Sequence, residues 1–340
     1  MTDLAQPSNT PRRVIPIRNV AAAPAGRQHL RSLTQIGFFL LFALAPVFDL
    51  FRFDLTSGHA WLLTFPWRLG IDDFSATPGG GTATGLGILV RLFLPLLLGG
   101  GAFIYAAWRW GRLYCGWLCP HFSAVETINQ LMRRASGRQS VWDRQPIPPR
   151  RADGSPLPQH PLWWIPTVLF AVAFASLWAV VLLTYLLPPA EVYGNLLQLS
   201  PTRNQAIFLS AATAVLSIEF LFARHLFCRF GCAVGVFQSL AWMANRDAMV
   251  VGFRRERAAD CAACYAAGGP EHAACEGVCP MRLRPRTQKV KMFTCTQCTQ
   301  CIAACATVQA AQGRSGLLRW VDKDEARRNE AQVSLTGERD

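Results

Sequence analysis

Eight of the twelve cysteines crowd between Cys261 and Cys305, and their spacing is that of thiolate ligands. The first set, Cys261, Cys264, Cys275 and Cys279, reads C-x2-C-x10-C-x3-C and is followed by Pro280. The second set, Cys295, Cys298, Cys301 and Cys305, reads C-x2-C-x2-C-x3-C. An iron–sulfur cubane takes four thiolates, three of them from one tight loop. Where two such motifs share a domain, the last cysteine of each crosses to the other cluster. The expected ligand sets are therefore Cys261, Cys264, Cys275 and Cys305 for one [4Fe-4S] cluster, and Cys295, Cys298, Cys301 and Cys279 for the other. The first motif is stretched, because Tyr265 to Ala274 separate its second and third cysteines. Gly268, Gly269 and Pro270 let that insertion turn back on itself. A zinc ribbon also uses C-x2-C pairs; the Cys-x3-Cys-Pro ending favours iron–sulfur.

The remaining cysteines form two C-x3-C pairs, Cys115 with Cys119 and Cys228 with Cys232. On a helix, residues four apart share a face, so two such pairs brought together would present four sulfurs. Soft thiolates select Cu(I), zinc or iron–sulfur iron. Cysteine is also a small buried apolar residue, and a single pair would favour that plainer role. Two pairs at equivalent positions favour a redox or copper site. The segments Arg112-Leu-Tyr-Cys115-Gly-Trp-Leu-Cys119 and His225-Leu-Phe-Cys228-Arg-Phe-Gly-Cys232 align without a gap. Pro120 follows the first pair and Ala233 the second. His121 and His225 lie at the rim of the expected membrane region, where they do not suit haem ligation. No P-loop, dinucleotide fingerprint or Ser/His/Asp arrangement is present, and no catalytic residue is assigned.

The elements that would position these thiols are apolar. Hydrophobic residues make up 51% of the 340-residue chain, which predicts membrane spans. Four segments are expected to cross: Leu33 to Phe51, Thr84 to Trp108, Leu162 to Leu187, and Ala206 to Ala223. Each is long enough for a core of about 30 Å at about 1.5 Å per residue. A C-x3-C pair follows the second and the fourth, so the membrane part reads as two parallel hairpin repeats. Ala43-Leu44-Ala45 could be a cleavage box, but Pro46 follows it and apolar sequence runs on, which favours an uncleaved span. Arg91 and Glu219 fall inside spans, where charges usually face protein; they are candidates for a pair or for a proton or quinone path.

The net charge is +13, and its placement is informative. Arginines crowd the arm before the first span, the loop between the second and third, and the region after the fourth. Positive residues stay on the cytoplasmic side, so both termini and the 109–161 loop are expected in the cytoplasm of a bacterium, with the chain multi-pass in the inner membrane. No nucleic-acid module accompanies the charge. The expected organisation is a mobile basic arm over 1–28, a four-span membrane domain over 29–225, a small α+β ferredoxin-like two-cluster domain over 226–320, and a charged, frayed tail over 321–340.

The chain resembles the FixG/CcoG-type membrane polyferredoxins, and more distantly the NapH and NosR families. The resemblance rests on Tyr114-Cys-Gly-Trp-Leu-Cys-Pro120, on Val125-Glu126, and on Phe227 through Ser239. It continues through Arg246 to Val251, the twin cysteine motifs, and Gly316-Leu-Leu-Arg-Trp320. It implies cubane clusters on a membrane anchor and electron transfer at the cytoplasmic face. For FixG/CcoG relatives it further implies cupric-ion reduction during assembly of cbb-type oxidase. The expected partners are the bilayer, a reduced donor or quinol, and copper-transport or oxidase-assembly proteins. Departures from the family pattern are the stretched first motif, Ala233 in place of proline, and the absence of a further span and C-terminal β-domain. Two other functions fit the same residues: a copper-holding assembly factor without turnover, and a NapH-like subunit that oxidises quinol.

Overall fold

A computed structural model describes residues 26–67, 85–143, 146–147, 149–152, 154–223, 226–262, 264 and 273–336. Residues 1–25 of the expected arm, His225, the Gly268–Gly269–Pro270 insertion and residues 337–340 lie outside the described residues.

Helix α1 runs Gly26–Leu44. It begins and ends earlier than the expected Leu33 to Phe51 span. Ala45 precedes Pro46, a position that disfavours continued helix. The chain then enters an antiparallel hairpin, β1 (Phe51–Asp54), β2 (His59–Leu62) and β3 (Phe65–Trp67), in the order β1-β2-β3. The turn is set locally. Asp54 Oδ1 accepts from Thr56 N at 2.9 Å and Ser57 N at 3.3 Å, and Gly58 takes φ 68°. That is the Asx-turn chemistry of short acidic side chains.

Among the described residues, three helices are long and apolar enough to cross a membrane: Gly85–Trp110, Pro161–Thr184 and Arg203–Ala223. The first contains a π-helical turn, Leu89–Phe93, then α2 (Leu94–Trp110) with Pro95 in its first turn. Proline lacks the donor that a helix interior needs, and the π turn absorbs the mismatch. Gly111, at φ 73°, stops α2. Short α3 (Leu113–Trp117) and α4 (Pro120–Ser136) follow, and Gly137 caps α4 in the left-handed region. Glycine carries no Cβ penalty there. Helix α5 (Trp164–Thr184) buries Ala171, Ala175 and Ala179, one small residue per turn, and packs most heavily against α7 (Arg203–Ile218). Between them lies α6 (Pro189–Leu197). A Thr202/Gln205 capping box starts α7, which satisfies two of its free N–H groups. Glu219 opens a π-helical turn, Glu219–Ala223, and α8 (Ala233–Ala244) then packs on α2.

These helices have a common near end and far end. Residue 28 of α1 touches Thr299, whereas Phe42 O accepts from Tyr185 OH at 2.7 Å just past α5. Phe39 and Phe42 stack on Trp178 between those ends. The hairpin closes the far end, with Phe53 N donating to Tyr185 O at 2.9 Å and Trp67 Nε1 to Arg91 O at 3.1 Å. Arg91 therefore sits toward the far end. Glu219, by contrast, stands 3.3 Å from His121 near the close of its helix. An Arg91–Glu219 pair does not form.

The C-terminal region pairs β4 (Val250–Phe253) antiparallel to β5 (Leu318–Val321). It carries α9 (Ala274–Gly277), α10 (Gln300–Ala310) and α11 (Lys323–Thr336). The expected frayed tail is thus a helix for most of its length. Ala326 is buried, Asn329 Oδ1 accepts from Phe253 N at 3.0 Å, and Arg327 pairs with Asp247. Charge density marked this segment as solvated, but one face of α11 finds partners on β4.

Candidate iron–sulfur and thiol sites

The twelve cysteines gather in three groups of four. Cys264 stands beside Cys305, and Cys261 and Cys275 lie within electrostatic reach of Cys305. Cys279, Cys295 and Cys298 surround Cys301 in the same way. Each group takes three thiols from one motif and one from the other. Cys275 lies within reach of Cys301, so the two quartets are neighbours.

The chain around the second quartet is shaped to hold sulfur. Cys279, Cys295, Cys298 and Cys301 line one small pocket, whose other walls include Val251, Met281, Leu283, Met292 and Trp320. Gln297 at φ 49° and Thr299 at φ 63° are left-handed although neither is glycine, and Arg282 at φ 55° repeats this after Cys279. Such conformations cost on the order of 1–3 kcal/mol each and gather at functional sites. Here they turn N–H groups toward sulfur. Leu283 N donates to Cys279 Sγ at 3.4 Å, with Met281 and Arg282 close by; Gln297 N serves Cys295 and Gln300 N serves Cys298. In the first quartet, Leu317 N donates to Cys305 Sγ at 3.3 Å. Concave runs of backbone N–H groups favour anions, and N–H···S bonds tune cluster potentials.

Burial pushes the thiols up: Cys275 and Cys298 to about 12, with Cys261, Cys279 and Cys295 also raised. Cys305 is the exception, pulled down by the Cys264 thiol. Buried thiols of this kind become thiolates when a metal displaces the proton. Among the described residues, no three His, Cys, Asp or Glu side chains converge tightly enough to grip a single ion. The four cysteines of the second quartet instead line one pocket together, the arrangement that a multi-iron core held by one thiolate per iron would use. The donor set and dry walls thus fit the [4Fe-4S] group.

The third group is Cys115, Cys119, Cys228 and Cys232, where the near end of the helices meets the C-terminal region. Cys115 Sγ donates to Gln238 Oε1 at 3.4 Å. The shared helical face expected for each pair does not form. Cys115 lies in α3 and Cys228 in a π-helical turn, Phe227–Gly231. Cys119 and Cys232 are instead extended residues, ψ 115° and 107°, at the N-caps of α4 and α8. Both halves adopt this step, with Pro120 or Ala233 as the first helical residue. Burial pushes Cys119 up to about 11 and His121 down to about 4, so His121 is neutral beside Glu219.

The second quartet and the third group share a wall. A Cβ on Gly116 would overlap Thr296 O, and Trp117 Nε1 donates to Gln297 O at 3.0 Å. Gln28 Nε2 reaches Cys298 O at 3.2 Å, and Arg31, with Nε 2.6 Å from Gly116 O, pairs with buried Glu126. Gln300 completes the network by bonding the other Glu126 oxygen. Sequence reasoning gave no role to Gln28, Arg31, Arg112 or Gly235. Glu126, the one acidic residue between Asp73 and Asp143, was the available signal.

The 4Fe-4S binding domain family matches residues 92–139 and 204–247, the stretches that contain the two C-x3-C pairs. No curated protein and no solved structure matches the chain. The family match supports an iron–sulfur electron-transfer role and is consistent with the polyferredoxin superfamily.

Proposed function

We propose that this chain is a membrane-anchored electron-transfer protein of the FixG/CcoG type. In it, Cys261, Cys264, Cys275 and Cys305 hold one [4Fe-4S] cluster and Cys279, Cys295, Cys298 and Cys301 the other. Such clusters supply one-electron carriers; the protein supplies spacing, N–H···S bonds and a dry surround. The observation that carries the reading is the line of three neighbouring sulfur groups. Cys275 joins the first to the second, and Gly116 against Thr296 joins the second to the Cys115–Cys119–Cys228–Cys232 site.

The anchor is read as four spans. Three meet the length and apolarity needed. Helix α1 is the fourth, since it runs from the cluster loop to the far-end hairpin beside α5, with Leu33 and Ile36 exposed outward. The two halves then form parallel hairpins, each ending in a matched stretch. Arginine placement puts the near end, with both termini, in the cytoplasm of a bacterial inner membrane.

The four-thiol site is the proposed outlet, where cupric ion accepts one electron and leaves as Cu(I), a soft ion that thiolates prefer. The test is reduction of excess Cu(II) by the purified, anaerobically reduced protein in the presence of a Cu(I) chelator. Repeated turnover with a chemical reductant supports the outlet, and Cys119→Ser with Cys232→Ser should abolish it while the clusters still bleach. A yield that stops near one equivalent points to copper holding instead. Anaerobic bleaching by added quinol alone would favour a quinol-oxidising subunit.

A further inference from the structure

We propose that Arg112 is a counter-charge shared by two sulfur sites, and that it raises the reduction potential of the quartet nearest the membrane helices. The inference rests on the reading of the eight C-terminal cysteines as two cluster sites.

Arg112 is 1% exposed. A buried guanidinium loses hydration worth several kcal/mol unless opposite charge or hydrogen bonds replace it. Nη2 donates to Cys228 O at 2.6 Å. Among the described residues, Nε and Nη1 have no hydrogen-bond partner of good geometry, and no carboxylate stands within ion-pair distance. Three thiols stand near the group. Cys115 lies within hydrogen-bonding reach, and Cys228 and Cys295 within electrostatic reach. Cys115 and Cys228 belong to the four-thiol site and Cys295 to the second quartet, so the guanidinium stands between them.

The position is built. A Cβ on Gly235 would overlap Arg112 Nη2, so glycine there makes room for the cation on α8. The charge is therefore held where thiolate-bound metal would answer it. A fixed positive charge in a low-dielectric region favours an added electron nearby. The first quartet has a cation of its own, Arg286, which acts on Cys261 and Cys275 ahead of the carboxylates of Asp260 and Glu276.

The test is an EPR-monitored redox titration of the full chain, extracted with both clusters present, as wild type, Arg112→Gln, Arg112→Lys and Gly235→Ala. The cluster missing from Cys279→Ser identifies the second quartet. Arg112→Gln is expected to make that cluster at least tenfold harder to reduce, about 59 mV lower for one electron, and to leave the other unchanged. Arg112→Lys should keep most of the potential, which a purely structural role would not. Gly235→Ala should lower the same potential by displacing the guanidinium. Equal potentials in wild type and Arg112→Gln overturn the inference while leaving the clusters in place; absence of iron overturns the cluster reading instead. If Arg112→Gln does not assemble, an unchanged potential in Gly235→Ala is the result that overturns it.

Discussion

The Cys264 side chain stands beside that of Cys305, joining the start of one motif to the end of the other. The partner is 41 residues away in sequence and comes from α10. Cys279 makes the reciprocal crossing into the Cys295–Cys298–Cys301 loop. Two loops tied in this manner fold as one unit, and neither quartet is complete without the other motif.

Crossed ligation predicts an inverted mutational pattern. Cys305→Ser should remove the cluster of the first motif, and Cys279→Ser that of the second. Each variant should fall from about eight irons per chain to about four. Distinct EPR spectra from the two variants check the assignment; matching spectra would contradict it.

The Arg31–Glu126 pair ties α1 and α4 to the second cluster loop through Gln300. Removing one member strands a buried charge, at a cost of about 3–5 kcal/mol. Arg31→Met should lower the temperature at which the clusters bleach. Arg31→Met combined with Glu126→Leu should recover much of the loss. A single variant as heat-stable as wild type argues against the tie.

Gly116 lies against the backbone of Thr296. Overpacking typically costs about 1–3 kcal/mol, and here the strain falls on the loop between Cys295 and Cys298. Gly116→Ala should lower occupancy of the second cluster and spare the first. Spectra of the purified variant distinguish this from a general loss of fold.

The far-end hairpin should be acid-labile. Burial pushes the Asp54 carboxyl up, but bonds from the Thr56 hydroxyl, Arg52 and the Thr56 and Ser57 amides outweigh it and hold the group well below the usual range. A depressed carboxylate adds stability that is fully present above its unfolded value of about 3.9 and is lost as pH falls through the folded one. Trp61, beside Arg52, should report a transition below about pH 4. In Asp54→Asn that transition should disappear and the hairpin should be weaker at neutral pH.

Much of this architecture was legible in the chain. Three long apolar runs became membrane-length helices within a few residues of their expected ends, because length and apolarity decide that outcome. The cysteine spacing marked the thiol-rich loops for a similar reason. What stayed hidden depends on contacts between distant segments. The hairpin over 51–67 is fixed by its docking to Tyr185 and Leu186. Helix α11 depends on Asp247 and Phe253. The C-x3-C pairs looked helical by spacing, yet Cys119 and Cys232 begin new helices. Arg112 read as one arginine among many flanking the spans; only packing shows it enclosed between sulfurs.

The most direct test of the central claim is iron and acid-labile sulfide per chain, measured with low-temperature EPR on protein purified without air. Two cubanes predict about eight of each, with signals from two interacting clusters on reduction. Zinc in place of iron, or thiols of residues 261–305 recovered as disulfides, would contradict the account.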